Sequence, residues 1–259
     1  MSAMDKVDRT KLVLVTGAAG AIGRAACRGL VARGHQVRGF DRVVPKNPDC
    51  PADMRIGDLT DEATVDDAVR DVEAIVHLAA EPDEADFKEK LLGPNVFGVY
   101  HILESARKHK VQRTILTSSG QVIAGHNWKR RTIRVDDVPN PISHYGVTKL
   151  MAEGWGRYYS EQHGMSVIVV RPGGYPRSSE QWDVFRSDPD AQRLYFGPVD
   201  AGRFFSLCVE VPNISFEILF ATSRPNGPCS FDLEPAQRVL GYEPQESWDD
   251  RRQYSEHIG

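Results

Sequence analysis

Val15-Thr16-Gly17-Ala18-Ala19-Gly20-Ala21-Ile22-Gly23 is the stretch whose reading decides the fold. It follows a short apolar run over 12–15 and opens a helical pattern over 21–33 that Gly34 stops. An apolar run of that length reads as a buried parallel strand. Gly17 permits the tight turn between strand and helix. Gly20 leaves no Cβ in the way of a pyrophosphate, and Gly23 lets the helix lie close to the sheet. The helix start then offers unpaired N–H groups and a partial positive charge to phosphate oxygens.

Outward from this turn, strands and helices alternate. A second strand over 36–40 ends at Asp41, and a third over 54–56 ends at Gly57-Asp58. A helix over 63–69 precedes a fourth strand over 74–78, which runs into Ala79-Ala80. An amphipathic helix over 95–109 leads to a fifth strand over 113–117, ending at Ser118-Ser119. A long helix over 143–163 leads to a sixth strand over 167–170, stopped by Pro172-Gly173. Such alternation predicts an α/β, doubly wound parallel-sheet Rossmann fold with helices on both faces. Residues 175–198 show little periodicity; 199–211 read as a helix, 216–221 as a strand and 234–240 as a short helix. The expected organisation is a flexible N-terminus over 1–10, a nucleotide-binding core over 11–173, and a small C-terminal substrate-binding lobe over 174–259. That lobe is too short for a separate domain and is expected to fold over the C-terminal edge of the sheet.

Asp41 stands at the end of the second strand, at the spacing of a ribose contact. Its carboxylate accepts from both adenosine ribose hydroxyls and repels a 2′-phosphate, which predicts NAD rather than NADP as cofactor. Arg42 follows and softens that preference. Asp58 and Leu59 are placed to meet the adenine.

Tyr145 and Lys149 lie four apart on a predicted helix and project from one face. Ser118-Ser119 end a parallel strand 26 residues before Tyr145. Strand end and helix start should converge at the crevice. Together, Thr16-Gly17-Ala-Ala-Gly20-Ala-Ile-Gly23, Asp58-Leu59, His77-Leu78-Ala79-Ala80, Asn95, Ser118-Ser119, Tyr145-Gly-Val-Thr-Lys149 and Arg171-Pro172-Gly173 resemble the short-chain dehydrogenase/reductase superfamily. The glycine spacing resembles its extended branch of epimerases, dehydratases and dehydrogenases.

The resemblance implies an NAD-dependent dehydrogenase with Ser119, Tyr145 and Lys149 as its catalytic residues. Tyr145 would take a proton from a substrate hydroxyl. A free tyrosine has a pKa near 10, roughly three units too high for neutral work. Lys149 and the nicotinamide charge are expected to lower it, and Lys149 to hold the nicotinamide ribose. Ser119 would orient the reacting hydroxyl, with Ser118 facing the core. Asn95 reads equally as a buried amide and as a support of the active site. The implied cofactor wall comprises Gly17, Ala19, Gly20, Ala21, Ile22, Gly23, Asp41, Arg42, Asp58, Leu59, Leu78, Ala79, Ala80, Asn95, Thr117, Tyr145, Lys149, Pro172 and Gly173.

Only 86 residues follow Gly173 (259 minus 173). Such a tail suits a small free substrate better than a nucleotide sugar. The chain most resembles uronate dehydrogenases, through Tyr145-Gly-Val-Thr-Lys149, Phe204-Phe205-Ser206-Leu207 and Leu240-Gly241-Tyr242-Glu243-Pro244. That resemblance implies oxidation of a small free sugar or sugar acid. It also implies homodimers or higher homo-oligomers through the helices over 95–109 and 143–163. The chain departs from that family at Gly120-Gln121, where Asn-His is usual, and at Glu81-Pro82, where a serine is usual. Glu81, Ser119, Gly120, Gln121, Gly174 and Arg186 are the expected substrate residues. Arg177 and Arg193 compete with Arg186 as the arginine that faces the pocket. Glu81 opposes an anionic substrate. An NAD-retaining epimerase and a non-catalytic dinucleotide sensor are the competing readings.

The bulk numbers bound the rest. The 259 residues are 41% hydrophobic and 26% charged, with a net charge of -4, ordinary for a soluble globular chain. No positive field would draw nucleic acid or an anionic membrane. Lys129-Arg130-Arg131 reads as a solvated loop, and His126 as a plain loop residue. Cys27, Cys50, Cys208 and Cys229 lack metal-ligand spacing. They suggest reduced thiols, and with no visible signal peptide they predict a cytoplasmic protein.

Overall fold

Leu12–Thr16 (β1), Gln36–Asp41 (β2), Asp53–Ile56 (β3), Ala74–His77 (β4), Arg113–Thr117 (β5), Val167–Pro172 (β6) and Phe216–Ala221 (β7) form one sheet. Its order is β3-β2-β1-β4-β5-β6-β7, and every pairing is parallel. The computed structural model describes residues 10–44, 51–225, 227–228 and 230–251. Cys50, Cys229 and residues 1–9 of the expected N-terminal segment lie outside the described residues.

The central strands β1, β4, β5 and β6 are almost wholly buried because both faces are covered, whereas the edge strand β3 is half-buried to exposed. Val13, Val15, Val76, Ile115, Ile168 and Val170 pack on one face, with Ala21–Ala32 (α1), Pro198–Glu210 (α7) and Glu234–Leu240 (α8). Leu14, Ile75, Leu116, Val167 and Val169 pack on the other, with Glu62–Val69 (α2), Gly98–Lys108 (α3) and His144–His163 (α4). Alternate residues of one strand thus enter opposite layers, as the two-residue period of a strand requires. The result is the doubly wound Rossmann-type α/β fold. The strand order reverses between β1 and β4, and there the helices diverge to opposite faces and open a crevice.

The tail is not a separate layer. β7 pairs with β6 over Val167↔Phe216 to Pro172↔Ala221, and α7 lies against α1. Two features depart from the sequence pattern. Residues 175–198 carry two helices, Ser179–Ser187 (α5) and Pro189–Gln192 (α6). Ser178 caps the first by accepting from the Gln181 N–H, and Trp182 and Phe185 join Tyr195 and Trp248 of Trp248–Arg251 (α9) in an aromatic cluster. Two anchors one turn apart are too few for a visible period. Asn95 lies not in α3 but in a π-helical turn, Gly93–Phe97, that follows another over Phe87–Leu91.

Phe204 of α7 is fully buried, edge-on to Phe196, Phe205 and Tyr242. Phe204→Ala is expected to cost about 3–5 kcal/mol of stability, read as a lower denaturant midpoint with unchanged slope.

Candidate active site

The strands' C-terminal ends border a cavity of about 880 Å³. Its floor begins at the glycine turn. Gly17 adopts φ +69° and donates its N–H to the Phe40 carbonyl at 2.8 Å. A Cβ on Gly23 would fall 2.0 Å from the Gly17 carbonyl oxygen, so only glycine lets α1 start this close to the turn. The first turn of α1 has no side-chain cap and no acidic residue. Its N–H groups and positive helix end are left for an anion. Asp41 closes the turn from β2, accepting the Ala19 N–H at 2.9 Å.

Thr16 joins β1 to β4. Its hydroxyl oxygen accepts the Leu78 and Ala79 N–H groups, each at 3.1 Å. Its proton is therefore directed to His77 Nδ1, 2.8 Å away. Burial, then the Lys149 charge, push the His77 imidazole down to about 3, so it is neutral and carries its proton on Nε2.

The opposite wall comes from β5, β6 and α4. Ser143 caps α4 by accepting the Gly146 N–H at 3.0 Å, and Glu84 accepts the Tyr145 N–H at 2.9 Å. These two contacts set the first turn of α4, and with it Tyr145 and Lys149. Lys149 is buried, donates to the Thr117 carbonyl at 3.0 Å and stands 5.6 Å from the Tyr145 ring centre. Burial pushes its ammonium down to about 8. Ser119 accepts the Gln121 N–H at 3.1 Å and is hydrogen-bonded to the Tyr145 phenol.

The chain's own surroundings push the Tyr145 phenol up to about 12: loss of water around it outweighs the Ser119 hydrogen bond and the Arg177 charge, which lower it, whereas the expected lowering also drew on the nicotinamide charge. Asp83 adds to the rise.

Behind the wall, Ser118 turns inward and donates to Glu153 Oε1 at 2.5 Å. Arg171 grips both Glu153 oxygens, at 2.7 and 2.8 Å, and is 1% exposed. This network ties the end of β5, the middle of α4 and the end of β6 into one rigid unit. A buried pair of this kind serves position more than net stability.

Of the residues singled out in the sequence, Gly17, Gly20, Ala21, Ile22, Gly23, Asp41, Arg42, Asp58, Leu59, Leu78, Ala79 and Ala80 line one end of the cavity. Thr117, Ser119, Tyr145, Lys149, Pro172 and Gly173, with Glu81, Gly120, Gln121 and Gly174, line the rest. Three stand outside the wall. Ala19 donates its N–H to Asp41 and accepts from Arg24 Nη1 at its carbonyl. Asn95 is buried and clamps the Glu81 backbone on both sides, at 2.8 and 3.0 Å, while donating to Thr148. Arg186 points away and pairs with Asp183 at 2.7 Å. The arginine in the wall is Arg177, because it sits in the loop before α5, whereas Arg186 sits at that helix's exposed end. Arg193 pairs with Asp190. His126 bonds the Val138 carbonyl, and Lys129 and Arg131 pair with Asp190 and Asp137.

The sequence pattern did not single out Asp83, Trp128 or Phe231, all of which line the cavity. Each lies in a loop without periodicity. Among the described residues no group of acidic, histidine or cysteine side chains could hold a metal.

Residues 13–174 match the model of the NAD dependent epimerase/dehydratase family, and the chain belongs to that family. It is 29% identical to an NAD-dependent glucose-6-phosphate dehydrogenase of Haloferax volcanii, over 91% of this chain and 93% of the relative. It is 30% identical to a uronate dehydrogenase of Pseudomonas putida, over 91% of this chain and 84% of the relative. A mutant uronate dehydrogenase of Agrobacterium tumefaciens, solved in complex with NAD, superposes with a TM-score of 0.80. It shows 25% identity over 95% of this chain and 89% of its own. The chain is an NAD-dependent enzyme. The uncapped helix start, the glycine cradle and the Asp41 carboxylate fit that cofactor's pyrophosphate and ribose.

Gly23→Val is expected to abolish NAD binding, since the added side chain meets the Gly17 carbonyl. A fluorescence titration with NADH should show no saturable signal, while circular dichroism reports a folded chain.

Proposed function

We propose that this protein is an NAD-dependent dehydrogenase of a small free sugar or sugar acid. One observation carries the reading: Ser119, Tyr145 and Lys149 converge from β5 and α4 on the wall of the cavity whose other end is the glycine turn. The relatives' names support the substrate class. One acts by name on a phosphorylated sugar and another on a uronate.

NAD, when bound, accepts the hydride and brings a positively charged nicotinamide ring. The chain's own residues move the proton. Ser119 orients the substrate hydroxyl, and Tyr145 Oη takes its proton as the C–O bond becomes a carbonyl. Lys149, held against the Thr117 carbonyl, supports the phenolate by its charge and presents its other N–H groups to the nicotinamide ribose. Trp128, half-buried in the cavity wall, offers an apolar face to the sugar's C–H groups.

The assembly is proposed to be a homodimer. Phe97, at the end of the turn before α3, and Tyr100, Val147, Met151 and Tyr158 along α3 and α4 are 40–51% exposed, and a Cβ on Gly154 would meet open space. A second copy of these two helices would cover that apolar strip. Among the described residues no helix is long and apolar enough to cross a membrane. A cytoplasmic setting fits the buried thiols of Cys27 and Cys208.

Purified protein given NAD and a panel of aldoses and uronates should generate NADH; no turnover on any of them refutes the proposal. Because Tyr145 must lose its proton to act and its phenol stands high, oxidation should speed up as pH rises. Ser119→Ala removes a hydrogen bond that lowers the phenol. It should move that limb of the pH profile further alkaline and cut kcat by about 10²-fold, and Tyr145→Phe should abolish turnover. An unmoved limb removes Ser119 from its role.

Size-exclusion with light scattering should give twice the chain mass at micromolar concentration. Met151→Glu with Tyr158→Glu should give the monomer. A wild-type monomer refutes the dimer.

A further inference from the structure

The wall of the cavity that Tyr145 lines also carries an ion pair. Arg177, in the loop after β6, donates to Asp83 Oδ2 at 2.6 Å, and both residues line the cavity. The two charges act on the Tyr145 phenol in opposite senses, and all three residues line one cavity. Asp83 holds this position with φ +64°, a left-handed conformation that aspartate and asparagine tolerate better than most residues.

Other charges border the same cavity, Lys88, Glu89 and Lys90 among them, but none of them is paired with Asp83 as Arg177 is. Glu81 also lines the cavity, its backbone fixed by Asn95. Glu84 is committed to His144 and to the Tyr145 N–H. Lys129 stands next to Trp128 but pairs with Asp190 at 3.0 Å. Lys149 is turned to the Thr117 carbonyl. Beside Arg177, already paired, the wall thus sets two carboxylates, Asp83 and Glu81, while Lys88 and Lys90, both exposed, flank Glu89 on the Phe87–Leu91 turn that also borders the cavity.

A substrate carboxylate or phosphate would need Arg177, and would meet Asp83 within a few ångströms of it. Two adjacent sugar hydroxyls make the opposite demand. One donates to a carboxylate while its neighbour accepts from a guanidinium, and an Asp–Arg pair offers both side by side.

We infer that Asp83 is a specificity-determining residue that, paired with Arg177, selects neutral aldoses by their vicinal hydroxyls and disfavours sugars bearing a carboxylate or phosphate. This rests on the sugar-dehydrogenase reading above and names the substrate class within it.

The test compares sugars that differ in one charge: D-glucose with D-glucuronate and glucose 6-phosphate, and D-galactose with D-galacturonate. kcat/KM is read from NADH formation at fixed NAD and ionic strength. The wild type should favour the neutral member of each set. Asp83→Asn keeps the size and tolerates the backbone conformation. It should raise kcat/KM for the charged member about tenfold relative to the neutral one, the scale of removing one partly screened like charge at this range. The KM for NAD should not change. A wild type that prefers the charged sugars overturns the inference without any variant. A ratio unmoved in Asp83→Asn, and equally in Asp83→Ala, also overturns it. In both cases NADH formation leaves the dehydrogenase reading standing. No NADH from either class, with NAD still bound, overturns both.

Discussion

The Thr16 hydroxyl holds together the two strands between which the sheet reverses. It accepts two N–H groups from the turn after β4 and gives its proton to His77. That fills its hydrogen-bonding capacity and fixes the turn Leu78-Ala79-Ala80 against Gly17, where a Cβ would lie 2.9 Å from the Ala79 nitrogen. The crevice for the dinucleotide exists because these two turns meet there. The chain on one side enters α1, and on the other passes to Glu81 and Asp83. Cofactor end and substrate end are therefore both measured from one buried hydroxyl.

Burial does the chemical tuning on the other wall. Lys149 is buried and Tyr145 half-buried, and the loss of hydration pushes the ammonium down and the phenol up. Each is thereby brought closer to its neutral form. The protein sustains this because the surrounding network is satisfied: Glu153 takes both Arg171 nitrogens and the Ser118 hydroxyl in the layer behind. A polar network buried this deeply fixes Ser119 and α4 relative to each other, so the two halves of the proposed catalytic group keep one geometry.

Much of this was legible in the residues. The strands, the long helices and their order follow from local periodicity, and the glycine turn has one physical use. Ser119, Tyr145 and Lys149 could be paired because a parallel sheet sends every strand's C-terminal end to one edge. The helices of 175–198 were not legible, since Trp182 and Phe185 become anchors only when Tyr195 and Trp248 arrive from elsewhere. The choice among Arg177, Arg186 and Arg193 was not legible either. Three arginines in one polar stretch differ only in what they face.

By itself, then, the sequence determined the layered α/β fold, the dinucleotide turn and the residues able to move a proton, because each depends on spacing within a single strand–turn–helix unit. The tertiary structure alone decided how the glycine turn is used. It set Asp41 against the Ala19 N–H, left the start of α1 uncapped, and placed Asp83 against Arg177 across 94 residues of chain. The physical reason is that burial, charge pairing and the resulting acidity arise from side chains brought together by strand order, and no local pattern encodes which distant partner a charge will meet.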